Sequence, residues 1–122
     1  MYLNYRMTTK ITPYDKTQEL GRLLGKKGTM DILHSLEERP KKYTELEISI
    51  KLSHASLLRR LTMFQSLDIV KKRPIRSKRR ETHEYDLTLR GNELMKFIDS
   101  YEKEMTLPSS QQKIIEIEEN KY

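Results

Sequence analysis

Leu67-Asp68-Ile69-Val70 and His83-Glu84-Tyr85-Asp86-Leu87 bracket a run from Lys71 to Arg80, KKRPIRSKRR, in which seven of ten residues are basic. Ile69-Val70 begins one strand. The stretch 83–87 alternates, with Tyr85 and Leu87 on one side, which is the two-residue period of another. Like charges in a row repel, and left to themselves they favour a solvated, disordered loop. Held at the tip of a hairpin behind a pair of helices, the same charges become a cationic finger for a phosphate backbone. The residues upstream favour the finger.

Immediately before it, Ser53 can cap a helix whose Leu57, Leu61 and Phe64 fall at i, i+4 and i+7 on one apolar stripe. This helix is predicted over 53–67, with Leu58, Met63 and Leu67 off the stripe but completing the core. Tyr43-Thr44-Glu45-Leu46 opens a shorter helix capped by Thr44. Its Leu46, Ile48 and Ile50 alternate as a strand would, and the new cap signal at Ser53 tips the reading to helix. Thr29 caps an earlier helix bearing Met30, Ile32, Leu33 and Leu36, and Pro40 stops it. Asp15 or Thr17 caps the first, which carries Leu20, Leu23 and Leu24 and ends at Gly25. After the hairpin, Thr88 caps a last helix holding Leu89, Leu94, Met95, Phe97, Ile98 and Tyr101, which ends before Pro108. The fold class is therefore mainly α with a small β-hairpin, a winged helix–turn–helix. The expected organisation is an N-terminal arm over 1–14, the winged domain with its C-terminal helix over 15–105, and a linker with an acidic tail over 106–122.

The 122 residues suffice for one domain with a modest core. Charged residues make up 34% and the formal net charge is +6, yet from Glu102 onward five acidic residues outnumber three basic ones. The excess positive charge thus lies in the part that folds, and a polyanion is the expected partner. The absence of cysteine excludes disulfides, thiolate metal sites and thiol redox chemistry. No apolar stretch approaches a membrane span, and the first residues lack a signal-peptide core, so a cytoplasmic protein without a membrane partner is expected.

Beyond these signals, the order of motifs resembles the HxlR-type branch of the MarR-like winged-helix regulators. Leu23-Leu24-Gly25-Lys26-Lys27-Gly28-Thr29 with Ile32-Leu33 is similar to that family's "LLGGKWT..IL". Tyr43-Thr44-Glu45-Leu46 is similar to its "RFNEL", and His83 to Leu94, HEYDLTLRGNEL, to its "VEYSLTPLGREL". The similarity runs from about Gln18 to Ile98. The resemblance implies a DNA-binding regulator that forms homodimers through terminal helices. Three departures stand out. The family's Trp is Gly28, its glycine before the wing is Asp68, and Asp15 stands near where many members carry a cysteine. Thiol sensing therefore does not carry over.

In a helix–turn–helix the first turns of the second helix meet base edges in the major groove. Ser53, His54, Ser56 and Arg59 hold those positions. Arg59 is the leading candidate for base readout, because its planar fork matches guanine O6 and N7. His54 and Ser56 suit bases or phosphate, and Arg60, one step round, suits the backbone. The alternative for each is a solvated helix face. Thr44 is either a plain N-cap or a phosphate contact at a helix terminus, with Lys41 or Lys42 nearby. On the wing, over 71–84, Arg76, Lys78, Arg79 and Arg80 at the tip would follow the backbone or enter a minor groove.

Signals for catalysis are poor. His34, His54 and His83 show no metal-ligand spacing, and no nucleophile–base pair is recognisable. Gly21 to Lys27 falls one residue short of a phosphate loop and no strand precedes it. Neither an enzyme, a metal nor a cofactor is expected. The expected function is sequence-specific binding of double-stranded DNA as a transcriptional regulator, a homodimer reading a pseudo-palindrome. The alternative is a winged-helix protein–protein adaptor, or a DNA-binding protein without sequence preference, in transcription or replication machinery.

Overall fold

A computed structural model of the chain describes residues 12–76 and 81–106. In chain order these form α1 (Pro13–Leu24), α2 (Thr29–Glu38), β1 (Lys41–Lys42), α3 (Tyr43–Ser49), α4 (His54–Ser66), β2 (Val70–Arg76), β3 (Glu81–Leu87) and α5 (Leu89–Met105). The three strands make one antiparallel sheet in the order β1-β3-β2. Three helices, a short strand between the second and third, a fourth helix, a hairpin and a closing helix constitute a winged helix–turn–helix, as expected. Lys78, Arg79 and Arg80 lie outside the described residues, as do most of the expected arm and nearly all of the tail.

The core forms where the helical stripes meet the root of the hairpin. Leu57, Leu61 and Phe64 of α4 are fully buried, together with Leu23 of α1, Ile32 and Leu33 of α2 and Leu46 of α3. Val70, Tyr85 and Leu87 close this core from the sheet, and Met95 closes it from α5. Removing such side chains from water is the main favourable term in folding, at about 25 cal/mol per Å² of apolar surface. Met63 packs on the core's edge and Leu67 is buried, whereas Leu58 is 43% exposed. Leu58 thus departs from its expected place in the core, because it faces the cleft between α4 and the sheet.

Caps explain where the helices begin, and three differ from expectation. Thr12, not Asp15 or Thr17, caps α1. Its hydroxyl accepts from the Asp15 N–H at 3.1 Å, while the Asp15 carboxylate accepts from the Thr12 N–H at 3.0 Å. Pro13 does not end the lead-in but starts the helix, since a first-turn N–H has no intrahelical partner to lose. These hydrogen bonds hold the Asp15 carboxyl below the usual carboxylate range. Gly28, not Thr29, precedes α2, in a left-handed conformation at φ 82°. A Cβ there would lie 2.8 Å from the Leu52 side chain, so Leu52 fills the space next to the position where related chains carry Trp. Before α3 stands Lys42, whose N–H donates to Glu45 Oε1 at 2.9 Å, leaving Thr44 inside the first turn. Ser53 and Thr88 cap α4 and α5 as expected, accepting from the N–H groups of Ser56 and Gly91.

A tight junction sets the direction of the hairpin. Asp68 is left-handed at φ 60°, a conformation that short polar side chains tolerate better than most. Ile69 N–H then returns to the Phe64 carbonyl at 2.9 Å. Thr88 holds the same turn from the far strand, its hydroxyl donating to the Asp68 carbonyl at 2.6 Å and its N–H to the Ile69 carbonyl at 3.0 Å. Gly91 lies against that Ile69 carbonyl so closely that a Cβ would stand 2.2 Å from its oxygen. Only glycine allows α5 to start this near the sheet.

Candidate nucleic-acid interface

Opposite the buried stripe of α4, Ala55, Arg59 and Thr62 recur at i, i+4 and i+7 and are all exposed. Arg59 thus projects from the face of the helix that carries no core contact. Ser56 and Arg60 flank that face and are partly covered, and the Arg60 Nε is buried without a hydrogen-bond partner among the described residues. Ser53 is exposed at the cap, although its hydroxyl is already engaged by the helix terminus.

His54 is less free than its sequence position suggests. Its Nδ1 lies 2.6 Å from the Tyr43 hydroxyl and 3.3 Å from Glu47 Oε2, and the Tyr43 ring meets the imidazole edge-on with centroids 5.2 Å apart. Burial raises the Tyr43 hydroxyl above the ordinary phenol range, so it keeps its proton at neutral pH. The imidazole therefore braces α3 against α4, and one of its two nitrogens is occupied there.

Between this brace and the sheet lies a cleft of about 530 Å³. Lys42, Tyr43 and Thr44 line it from the start of α3, His54 and Leu58 from α4, and Lys72, Thr82, His83 and Tyr85 from the hairpin. Strand pairing explains the hairpin's share. Lys72 stands opposite Tyr85 and Pro74 opposite His83, on the face that continues from buried Val70 and Leu87. Lys72 Nζ sits 5.9 Å from the Tyr85 ring centroid, a cation–π contact. Arg76 is at the same parity and exposed. Arg73 is on the opposite face, where it pairs with Glu84 directly across the ladder at 2.8 Å. The basic run is therefore not one finger of equal charges: it starts in a strand, and one of its arginines is neutralised by its neighbour. Pro74 is accommodated because β2 is an edge strand.

Near α3, Thr44 is exposed and borders the cleft, and Lys42 does the same. Lys41 turns the other way. Its ammonium donates to Ser35 Oγ at 2.8 Å and to Glu38 at 2.7 Å, binding it to α2 rather than leaving it for a phosphate. Glu45 is held by Arg39 and by the Lys42 N–H, which together pull its carboxyl down to about 2. Of the expected contact residues, the fold gathers Thr44 and His54 round the cleft, sets Arg59 beside it on the open face of α4, and puts Arg76 at the far end of β2. Sequence reading passed over Lys72 and His83. Strand alternation counted outward from Val70 and Tyr85 would have found both.

A family model described as HxlR-like helix–turn–helix matches residues 23–112. No curated protein sequence matches the chain. Among solved structures, the reduced form of the transcriptional regulator YodB from B. subtilis is similar at TM-score 0.62 and 24% identity, covering 77% of this chain and 90% of that one. A protein from Porphyromonas gingivalis W83 assigned to the MarR family is similar at TM-score 0.59 and 24% identity, covering 79% and 91%. Another assigned to that family, from Enterococcus faecalis V583, reaches TM-score 0.62 at 18% identity over 95% of this chain and 97% of its own. At these identities the structures speak for the fold.

Proposed function

Because the chain belongs to the HxlR-like helix–turn–helix family of DNA-binding transcriptional regulators, we propose that it reads double-stranded DNA with α4 in the major groove. The exposed Ala55–Arg59–Thr62 line of α4 carries this reading, since it is the helix face left open by the core. Arg59 is the base-reading residue, with Ser56 beside it. Ser53, Thr44 and Arg60 contact phosphate or sugar and fix register. His54 sets the position of the reading helix through Tyr43 and offers its second nitrogen to the duplex. Arg76, with Lys78, Arg79 and Arg80 beyond it, follows the backbone or enters the neighbouring minor groove.

The working unit is a homodimer in the cytoplasm. Phe97 and Tyr101 of α5 are one turn apart and 71% and 55% exposed, while Met95 on the opposite side is buried. An aromatic pair left in water on a terminal helix suits burial against a second copy, and two copies would present paired helices to a pseudo-palindrome. Among the described residues no helix is long and apolar enough to cross a membrane.

The test is a salt-titrated binding isotherm on a duplex from the gene's own upstream region and on a scrambled one. Wild type should prefer the former. Arg59→Ala should erase about 1–3 kcal/mol of that preference while leaving the thermal midpoint unchanged. Equal binding to both duplexes would instead favour a protein that binds DNA without sequence preference, and no binding at low salt would favour the adaptor.

A further inference from the structure

Far from the cleft, α2 and α5 bring together side chains that lie more than sixty positions apart in the chain. His34 and Glu37 are one turn apart on α2, and Asp99 and Glu102 are one turn apart on α5. The ligand atoms of His34, Glu37 and Asp99 all lie within 4.8 Å of one another. The imidazole has a carboxylate at each nitrogen: Nδ1 is 3.6 Å from Glu37 Oε1 and Nε2 is 3.7 Å from Glu102 Oε1.

We propose that His34 Nδ1, Glu37 and Asp99 form a binding site for one divalent first-row transition-metal ion, with Glu102 orienting the imidazole. The donor set of one imidazole and two carboxylates suits such ions, whose ligand bonds are about 2.0–2.2 Å long. Small rotations of half-exposed side chains close the remaining distance. Glu102 supplies what a metal-bound histidine needs at its other nitrogen, an acceptor for the N–H that fixes tautomer and ring orientation. The charge balance also points to a cation. Glu37 and Asp99 face each other, and no Lys or Arg pairs with either among the described residues. Their mutual hydrogen bond, the first cause of the raised Glu37 carboxyl, requires a proton between two acidic groups. A divalent ion would take the place of that proton and of the repulsion behind it. It would also clamp the middle of α5 to α2, close to the turn that bears Phe97 and Tyr101.

The experiment uses the full chain, free of any affinity tag and stripped of metal. It is titrated with Zn2+ against a chromophoric chelator, and with Co2+ to read visible absorption. One Zn2+ per chain and a Co2+ spectrum with nitrogen–oxygen character are expected. Glu102→Gln should weaken binding about 10- to 100-fold, the usual effect of losing a ligand's orienting partner. His34→Ala and Asp99→Asn should weaken it further, and Glu93→Gln, elsewhere on α5, should leave it unchanged. A wild-type chain that takes up no Zn2+ overturns the proposal. So does binding that survives His34→Ala and Asp99→Asn. Because all four side chains are at the surface, circular dichroism should show intact helices in each variant. If His34→Ala should unfold, His34→Gln carries the same reading.

Discussion

The root of the hairpin and its outer half are one continuous pair of strands held in opposite ways. At the root, Val70, Tyr85 and Leu87 are buried, Asp68 is locked in a left-handed turn, and Thr88 and Gly91 grip the carbonyls of Asp68 and Ile69. Beyond Lys72 the side chains are exposed or partly so, and the main cross-strand bond is the Arg73–Glu84 pair. Stability is thus concentrated where no ligand can reach, and charge where little packing constrains it. A precise base carrying a compliant, cationic end suits a partner whose backbone is regular but whose local shape varies with sequence.

Breaking the root should have the largest effect. Gly91→Ala places a methyl group 2.2 Å from a backbone oxygen that is itself hydrogen-bonded, so the start of α5 must move. A loss of about 3 kcal/mol is expected, the upper part of the range for overpacking, read as a lowered urea midpoint at unchanged slope. A variant as stable as wild type would mean that the junction is looser than its hydrogen bonds indicate.

The outer half is sharpened by comparing two arginines. Arg76→Gln should lower the salt dependence of DNA binding by about one unit of slope, the signature of one lost phosphate contact. Arg73→Gln should change it by less, because Glu84 already neutralises that charge. Equal effects would show that the Arg73–Glu84 pair opens on binding. Neither variant should shift the thermal midpoint much, exposed ion pairs being worth little.

The smallest effect is expected at the edge of the root, where Arg39 and the Lys42 N–H hold Glu45. Its carboxyl is lowered from 4.5 to about 2 in the folded chain. A depressed folded value means that the associated stability is fully present above pH 4.5 and is lost as pH falls toward 2. Acid titration of the thermal midpoint should show a shallow decline in that window, and Glu45→Gln should flatten it.

Much of this contrast was legible in the sequence. The stripes of α2 and α4, the caps at Ser53 and Thr88 and the alternation around Tyr85 are local signals, and each predicted its element. What escaped reading depends on contacts between elements. Lys41–Lys42 is too short to show a period, so the third strand came as a surprise. The division of the basic run into two faces requires the register Arg73↔Glu84, which no local pattern carries. The brace on His54 depends on how α3 meets α4, and the His34–Glu37–Asp99 group on how α2 meets α5. Thr12-Pro13 was a readable start signal, obscured because proline was taken as a breaker rather than as a first helical residue.

The two-residue strand β1 has a consequence for scale. It joins the entrance of α3 to β3 through the pairs Lys41↔Tyr85 and Lys42↔Glu84, and β3 is also the inner strand of the wing. Helix pair and hairpin therefore share one stiff beam. The protein behaves as a gauge of fixed span, so the places where helix and wing touch a duplex are separated by a set number of base pairs. A footprint that widened or narrowed from one binding sequence to another would have to come from the DNA bending, or from how two copies are spaced.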